Sequence, residues 1–309
     1  MQALLEIILP VFVVIGFGYV VTWRRLLSQS ALDGLVEFTQ NIAIPCLLFR
    51  AISQIDIGGT VSTALIASYY VGAFASFFAG FAGARLFFGR SPEDAIAIGF
   101  CCLFSNTILL GVPITERAFG PESLADNFAI IAFHAPLCYL VGVASMEIVR
   151  SKSTSYAEKV SRVFNAMFHN PFVIAIGLGF VVNLVGLPLP APVASSLDLV
   201  ATAALPAALF GLGGILFQYR PEGDMRTIMM ICAISLILHP AIVFVMGQAT
   251  GLDRGAFRSA VLTAAMAPGV NTYIFANMYG AARRVAASSV LFATAASTVS
   301  IWLWLLVLP

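Results

Sequence analysis

The chain has 309 residues, 60% hydrophobic and only 10% charged. A soluble domain carries roughly 25% charged residues, so the polar surface is too small to face water on all sides, and lipid must be the solvent for much of the chain. The net charge of +1 gives no reason to expect a nucleic-acid partner.

Ten stretches come near the roughly 20 apolar residues that a spanning helix needs. They lie at about 3–23, 32–52, 62–88, 94–118, 124–149, 169–187, 191–218, 226–249, 256–279 and 284–308. The sequence therefore predicts an all-α membrane protein of ten transmembrane helices. The first stretch has no basic region before it, carries Glu6 early and is followed by Arg24 and Arg25, which reads as a spanning helix with its N-terminus outside rather than a cleavable signal. The breaks hold the charges and turn formers, among them Gly58-Gly59, Arg90 to Asp94, Gly120-Pro121-Glu122, Pro188 to Pro192 and Pro221 to Asp224. The longest polar stretch, Arg150 to Arg162, divides the chain, giving a first half over 1–149, a cytoplasmic linker over 150–168 and a second half over 169–309. With the N-terminus outside, the cytoplasmic side collects Arg24, Arg25, Arg85, Arg90, Arg150, Lys152, Lys159, Arg162, Arg220, Arg226, Arg283 and Arg284. These are 12 of the 16 basic residues, against Arg50, Arg117, Arg254 and Arg258 on the other side. This is a positive-inside pattern, with both termini on the non-cytoplasmic side of a bacterial inner membrane.

The two halves repeat. Pro10, Gly16 and Gly18 fall over Pro171, Gly177 and Gly179 at an offset of 161; Ile44-Pro45 and Leu48-Phe49 fall over Leu205-Pro206 and Leu209-Phe210 at the same offset. Ala118-Phe119-Gly120 falls over Met278-Tyr279-Gly280 at 160. Five helices per half is an odd number, so the second half must run inverted to the first, as in many secondary transporters. In such folds the substrate sits near the midplane at discontinuous helices, whose ends and freed backbone groups face a wet cavity.

Breakers occur at matching depths. The fourth stretch reads Phe104-Ser105-Asn106-Thr107, then Gly111 and Pro113. The ninth reads Ala267-Pro268-Gly269-Val270-Asn271-Thr272-Tyr273. Proline removes an N–H and clashes with the carbonyl four residues back. Asn and Thr bring donors and acceptors to the same place. Asn106, Thr107, Gly111, Pro113, Pro268, Gly269, Asn271 and Thr272 form the candidate substrate site. The plainer reading is a pair of kinked helices whose amides cap freed carbonyls. Pro45 and Pro206 lack the Asn-Thr cluster and mark kinked scaffold helices. Gly211, Gly213 and Gly214 beyond Pro206 permit a close helix approach, which a dimer contact through the second and seventh helices would use.

Ionisable groups inside the membrane are functional candidates by default. His134, near the middle of the fifth stretch, and His239, near the middle of the eighth, are candidates for proton coupling; either could equally be a neutral, hydrogen-bonded core residue. Glu37 and Asp198 align at the offset of 161 and read as water-facing helix ends. Arg50 ends the second stretch and would snorkel outward or attract anions. The five cysteines fall inside apolar stretches without metal-ligand spacing, so no metal or cofactor is expected beyond a coupling H+ or Na+. No Walker, zinc-protease or nucleophile-elbow motif is present, so the chain does not read as an enzyme.

Asn106-Thr107-Ile-Leu-Leu-Gly111-Val-Pro113 resembles the Asn-Thr-x-x-x-Gly-x-Pro segment of the auxin efflux carrier family. Pro268-Gly269 with Tyr273 to Ala276, His169-Asn170-Pro171 and Ile44 to Phe49 resemble that family too, and the short linker is similar to its bacterial branch. The resemblance covers nearly the whole chain. It implies a fold similar to sodium/proton antiporters and bile acid–sodium symporters. Helices 1, 2, 6 and 7 would form a scaffold and helices 3–5 and 8–10 a transport domain. Helices 4 and 9 would cross at their prolines, the substrate would be a small organic anion (auxin-like, or a mono- or dicarboxylate), and the carrier would form homodimers. The fifth stretch has Asp126 only at its start and Glu147 only at its end, which disfavours the central-carboxylate chemistry of cation exchangers. Two alternatives stand beside the organic-anion carrier: a sodium-coupled symporter of a larger amphipathic acid, and a membrane sensor on a transporter scaffold.

Overall fold

In a computed structural model of the chain, residues 4–54, 62–150, 171–219 and 221–309 are described. The break at Gly58-Gly59, the linker from 151 on, His169-Asn170 and the basic residues Lys152, Lys159, Arg162 and Arg220 lie outside the described residues. Among the described residues the secondary structure is helical, and the β-type pairing is a single isolated bridge between Ser105 and Pro268. In chain order the helices are α1 (Leu9–Trp23), α2 (Gln29–Gln54), α3 (Thr63–Phe88), α4 (Pro92–Leu103), α5 (Val112–Phe119), α6 (Leu124–Arg150), α7 (Pro171–Val185), α8 (Ala191–Gln218), α9 (Met225–Ala249), α10 (Arg254–Ala264), α11 (Val270–Tyr279) and α12 (Arg283–Val307). Among the described residues seven helices are long and apolar enough to cross a membrane. The protein is thus an all-α, multi-pass membrane protein. The fourth and ninth predicted stretches are each two helices, α4/α5 and α10/α11, because Phe104–Asn106 and Ala265–Gly269 leave the helical path.

Four prolines share one local solution. Pro10, Pro45, Pro113 and Pro240 each follow a five-residue π-turn, at Leu4–Ile8, Thr39–Ala43, Thr107–Gly111 and Ile234–Leu238. Widening the preceding turn relieves the clash of the ring with the carbonyl four residues back. It also leaves carbonyls short of donors, and side chains answer. The Leu236 carbonyl, four before Pro240, accepts from Trp304 Nε1 at 3.0 Å. The Glu6 and Ile7 carbonyls, ahead of Pro10, accept from the Arg117 guanidinium. Pro206 lies inside α8 without such a turn.

Packing sorts the helices into two sets. α1 runs along α8, α7 along α2, and α8 also touches α2. The other set gathers α3, α4, α9, α10 and α12 around the α4/α5 and α10/α11 breaks. Two crossings need glycine. A Cβ on Gly213 would stand 1.9 Å from the Ile15 carbonyl oxygen, and one on Gly18 2.0 Å from that of Phe210. A Cβ on Gly179 would stand 3.0 Å from the carbonyl oxygen of Phe49. The glycines of α8 are therefore spent inside the chain: Gly213 faces α1, and Gly214 faces Leu32 and Thr22. Large apolar side chains such as Phe17, Phe87 and Leu199 stay exposed, as expected where lipid covers the surface.

Candidate functional site

The site grows from the two breaks. Ser105 and Pro268 pair antiparallel, with Asn106 N–H donating to the Ala267 carbonyl at 2.8 Å and Gly269 N–H to the Phe104 carbonyl at 2.9 Å. These bonds satisfy backbone groups that lie midway along both broken stretches, where an unpaired group is costly. Past the crossing both chains turn helical again. Asn106 caps the π-turn at Thr107–Gly111, its Oδ1 accepting from Leu109 N–H at 3.2 Å. Gly269 is the N-cap of α11, and the Thr272 hydroxyl donates to its carbonyl at 2.7 Å. Two helix N-termini therefore meet at the crossing. Each carries first-turn N–H groups without intrahelical acceptors and a partial positive charge of about 0.5.

A cleft opens there, lined by Phe104 to Leu109, Gly269 to Asn271, His134 and Ile131 on one side and by Gln40, Ile44, Phe172 and Ile176 on the other. Its non-atom space, open mouth included, is about 600 Å³. No Lys, Arg, Asp or Glu is among these lining residues. Asn106 is 5% exposed, and its Nδ2 has no hydrogen-bond partner among the described residues. A buried amide donor left unpaired costs stability and marks a place made for an acceptor.

Of the residues singled out in the sequence, Asn106, Thr107, Gly269, Asn271 and His134 line this cleft, and Pro268 makes the bridge beside it. Gly111 packs by Met266 and the Asn106 carbonyl, and Thr272 is buried behind the Gly269 turn. Pro113 does not sit at the crossing. The chains cross at Ser105, and Pro113 lies in the first turn of α5, directly after the π-turn at Thr107–Gly111. It lines a second, larger cleft with Pro10, Arg50, Gln54, Arg117, Asp198 and Pro206. There Arg50 and Asp198 form a two-point ion pair, Nε to Oδ1 at 2.7 Å and Nη2 to Oδ2 at 3.0 Å. Sequence spacing gave no sign of this pair, nor of Gln40, which reaches the first cleft from α2. Pro45 follows the π-turn of α2.

Both histidines converge on one serine. His134 Nε2 lies 3.2 Å from the Ser105 carbonyl oxygen, and His239 Nδ1 lies 3.4 Å from Ser105 Oγ. The Tyr69 ring meets both imidazoles edge-on, at centroid distances of 5.8 and 5.4 Å. His239 is fully buried and does not line the cleft.

Residues 3–305 match the family described as "Membrane transport protein". The chain belongs to that family, which is the family of the auxin efflux carriers. It is similar to the "Putative malonate transporter" of Rhizobium meliloti (strain 1021), 24% identical over 97% of this chain and 94% of that one. It is similar also to the "Uncharacterized transporter YfdV" of Escherichia coli (strain K12), 23% identical over 97% and 96%. With "Auxin efflux carrier component 5" of Arabidopsis thaliana it shares 19% identity over 93% and 92%. The protein is a membrane transporter.

Proposed function

We propose that this transporter is a secondary carrier for a small organic anion, bound by its carboxylate at the Ser105–Pro268 crossing. One observation carries the reading: Asn106, whose buried Nδ2 is unpaired, lines a cleft where two helix N-termini converge and no acidic side chain is among the lining residues. A carboxylate there accepts from Asn106 Nδ2, from Asn271 and from first-turn N–H groups other than those of Thr107, Leu109 and Thr272, which have acceptors in the chain, the arrangement by which helix N-termini hold anions. Similarity to the protein described as "Putative malonate transporter" favours a dicarboxylate.

In this reading the fold is ten spanning helices in a 5+5 inverted repeat over 1–149 and 169–309. Mirrored contacts support it. Gly18 abuts Phe210 and Gly179 abuts Phe49, and both members of the second pair differ by 161 from members of the first. α1, α2, α7 and α8 act as scaffold, and the remaining helices move against it in an elevator-like alternation of access. The scaffold sits at a homodimer contact formed by the exposed sides of α2 and α8, and both termini face the non-cytoplasmic side of the inner membrane.

The test is counterflow of labelled malonate in proteoliposomes. Purified protein should accumulate label against unlabelled malonate inside, and added succinate or indole-3-acetate should compete if it shares the site. Binding of malonate with no flux would leave a sensor rather than a carrier.

A further inference from the structure

The anion site lacks a charge that its substrate needs. A dicarboxylate brings two negative charges. The cleft has no basic residue among its lining, and two helix N-termini together supply about one positive charge. Within that cleft the titratable lining residue is His134, 2% exposed. Its tautomer is set by its partners. The Ser105 carbonyl can only accept, so Nε2 carries a hydrogen. Nδ1 then accepts from the Cys138 thiol, Sγ at 3.7 Å, a weak bond that reverses direction when Nδ1 takes a proton. The titratable groups facing the ring are Tyr69 and Tyr70 of α3, Cys138 of its own helix and, through Ser105, His239 of α9; the neighbours from α2, α7 and α11 are Gln40, Phe172 and Asn271, which do not titrate. No carboxylate is among them, so among these groups only the bound anion would bring a full negative charge to a protonated His134, whose two N–H groups face the Ser105 carbonyl and Cys138 Sγ.

Resting on the anion-carrier reading, we propose that His134 is the proton-binding residue of the site, taking up one proton at Nδ1 for each dicarboxylate bound, while His239 stays neutral as a clamp on the Ser105 hydroxyl. Two imidazoles gripping one serine do not both charge, because like charges so close oppose the second protonation. His134 touches the cleft and His239 does not, so the proton goes to His134. Proton and anion binding are then linked reciprocally. The imidazolium keeps its Nε2–H bond to the Ser105 carbonyl, and so the load reaches the strand pairing that holds the two broken helices together.

The experiment is calorimetric titration of malonate into the purified full-length protein at about pH 7.5, where free malonate is a dianion, in buffers of different ionisation enthalpy. Wild type should show uptake of about one proton per bound anion. His134→Gln keeps a donor for the Ser105 carbonyl and cannot titrate; it should bind malonate more weakly with no proton uptake. His239→Gln should retain the uptake. A second measurement avoids any folding defect of His134→Gln. With ring-labelled histidines, one of the three histidine signals of wild type should move to the imidazolium position on adding malonate, and elimination with His169→Gln and His239→Gln should assign it to His134. Binding without proton uptake, uptake that persists in His134→Gln (the proton then riding on malonate), or a shifted signal from another histidine overturns the proposal. No heat with malonate, succinate or indole-3-acetate overturns the carrier reading beneath it and the proton assignment with it.

Discussion

Asn106 has two jobs that one substitution confounds and two substitutions separate. Its Oδ1 caps the π-turn through Leu109 N–H, while its Nδ2 is free for a ligand. Asn106→Ala removes both. Loss of a cap costs about 1 kcal/mol, and loss of a hydrogen bond to a charged ligand about 1.5–3 kcal/mol, a weakening of roughly 10- to 150-fold in affinity. Asn106→Asp keeps the cap, since Asp and Asn cap comparably and a carboxylate is favoured at a helix N-terminus. It replaces the donor by a negative charge facing the substrate. The two orders should therefore cross. Thermal unfolding in detergent should place the aspartate variant above the alanine variant, whereas malonate counterflow should fall from wild type to alanine and vanish for aspartate. If the aspartate variant transports better than the alanine variant, Asn106 serves only as a cap and the anion is held elsewhere.

Gly18→Ala should prevent proper folding or lower the unfolding temperature sharply, because its Cβ would stand 2.0 Å from the Phe210 carbonyl oxygen; Gly16→Ala, with nothing within 4 Å, should be silent in the same melt. Trp304→Phe leaves the Leu236 carbonyl, freed by Pro240, without its donor, and should cost about 1–3 kcal/mol, measured by chemical unfolding in micelles. Outside the membrane, the Thr227 hydroxyl, then the Arg226 N–H and Arg90, hold the Asp224 carboxyl below its ordinary range. A folded-state value below the unfolded one gives stability present above the unfolded value and lost as pH falls through the folded one. Asp224→Asn should therefore lower stability at neutral pH and flatten the acid limb of a melting-temperature profile; an unchanged acid limb would assign that limb to other carboxylates.

Sequence and structure divided the work along physical lines. Whatever depends on local composition was legible in the chain: the apolar stretches, their ends at charged and turn-forming residues, and the two broken stretches with their Asn-Thr pairs. Local chemistry also pointed to Asn106, Asn271 and His134, because amides and an imidazole at apolar depth need partners wherever the helix goes. The place of the crossing was not legible. Pro113 is the stronger breaker on paper, yet the π-turn at Thr107–Gly111 absorbs it, and the chain leaves the helix at Phe104–Asn106, where Ala267 and Gly269 from the other half supply the missing hydrogen bonds. That exchange is a property of two segments about 160 residues apart and has no trace in either. The glycines of α8 read alone as a surface for another chain, and packing gave them to α1 and α2. Arg50 and Asp198, and the meeting of His134 and His239 on Ser105, are likewise pairings across the fold. The sequence by itself determined that the chain lives in lipid and breaks its helices in two matched places; tertiary structure alone decided which groups those breaks bring together, because only distance in space selects a partner.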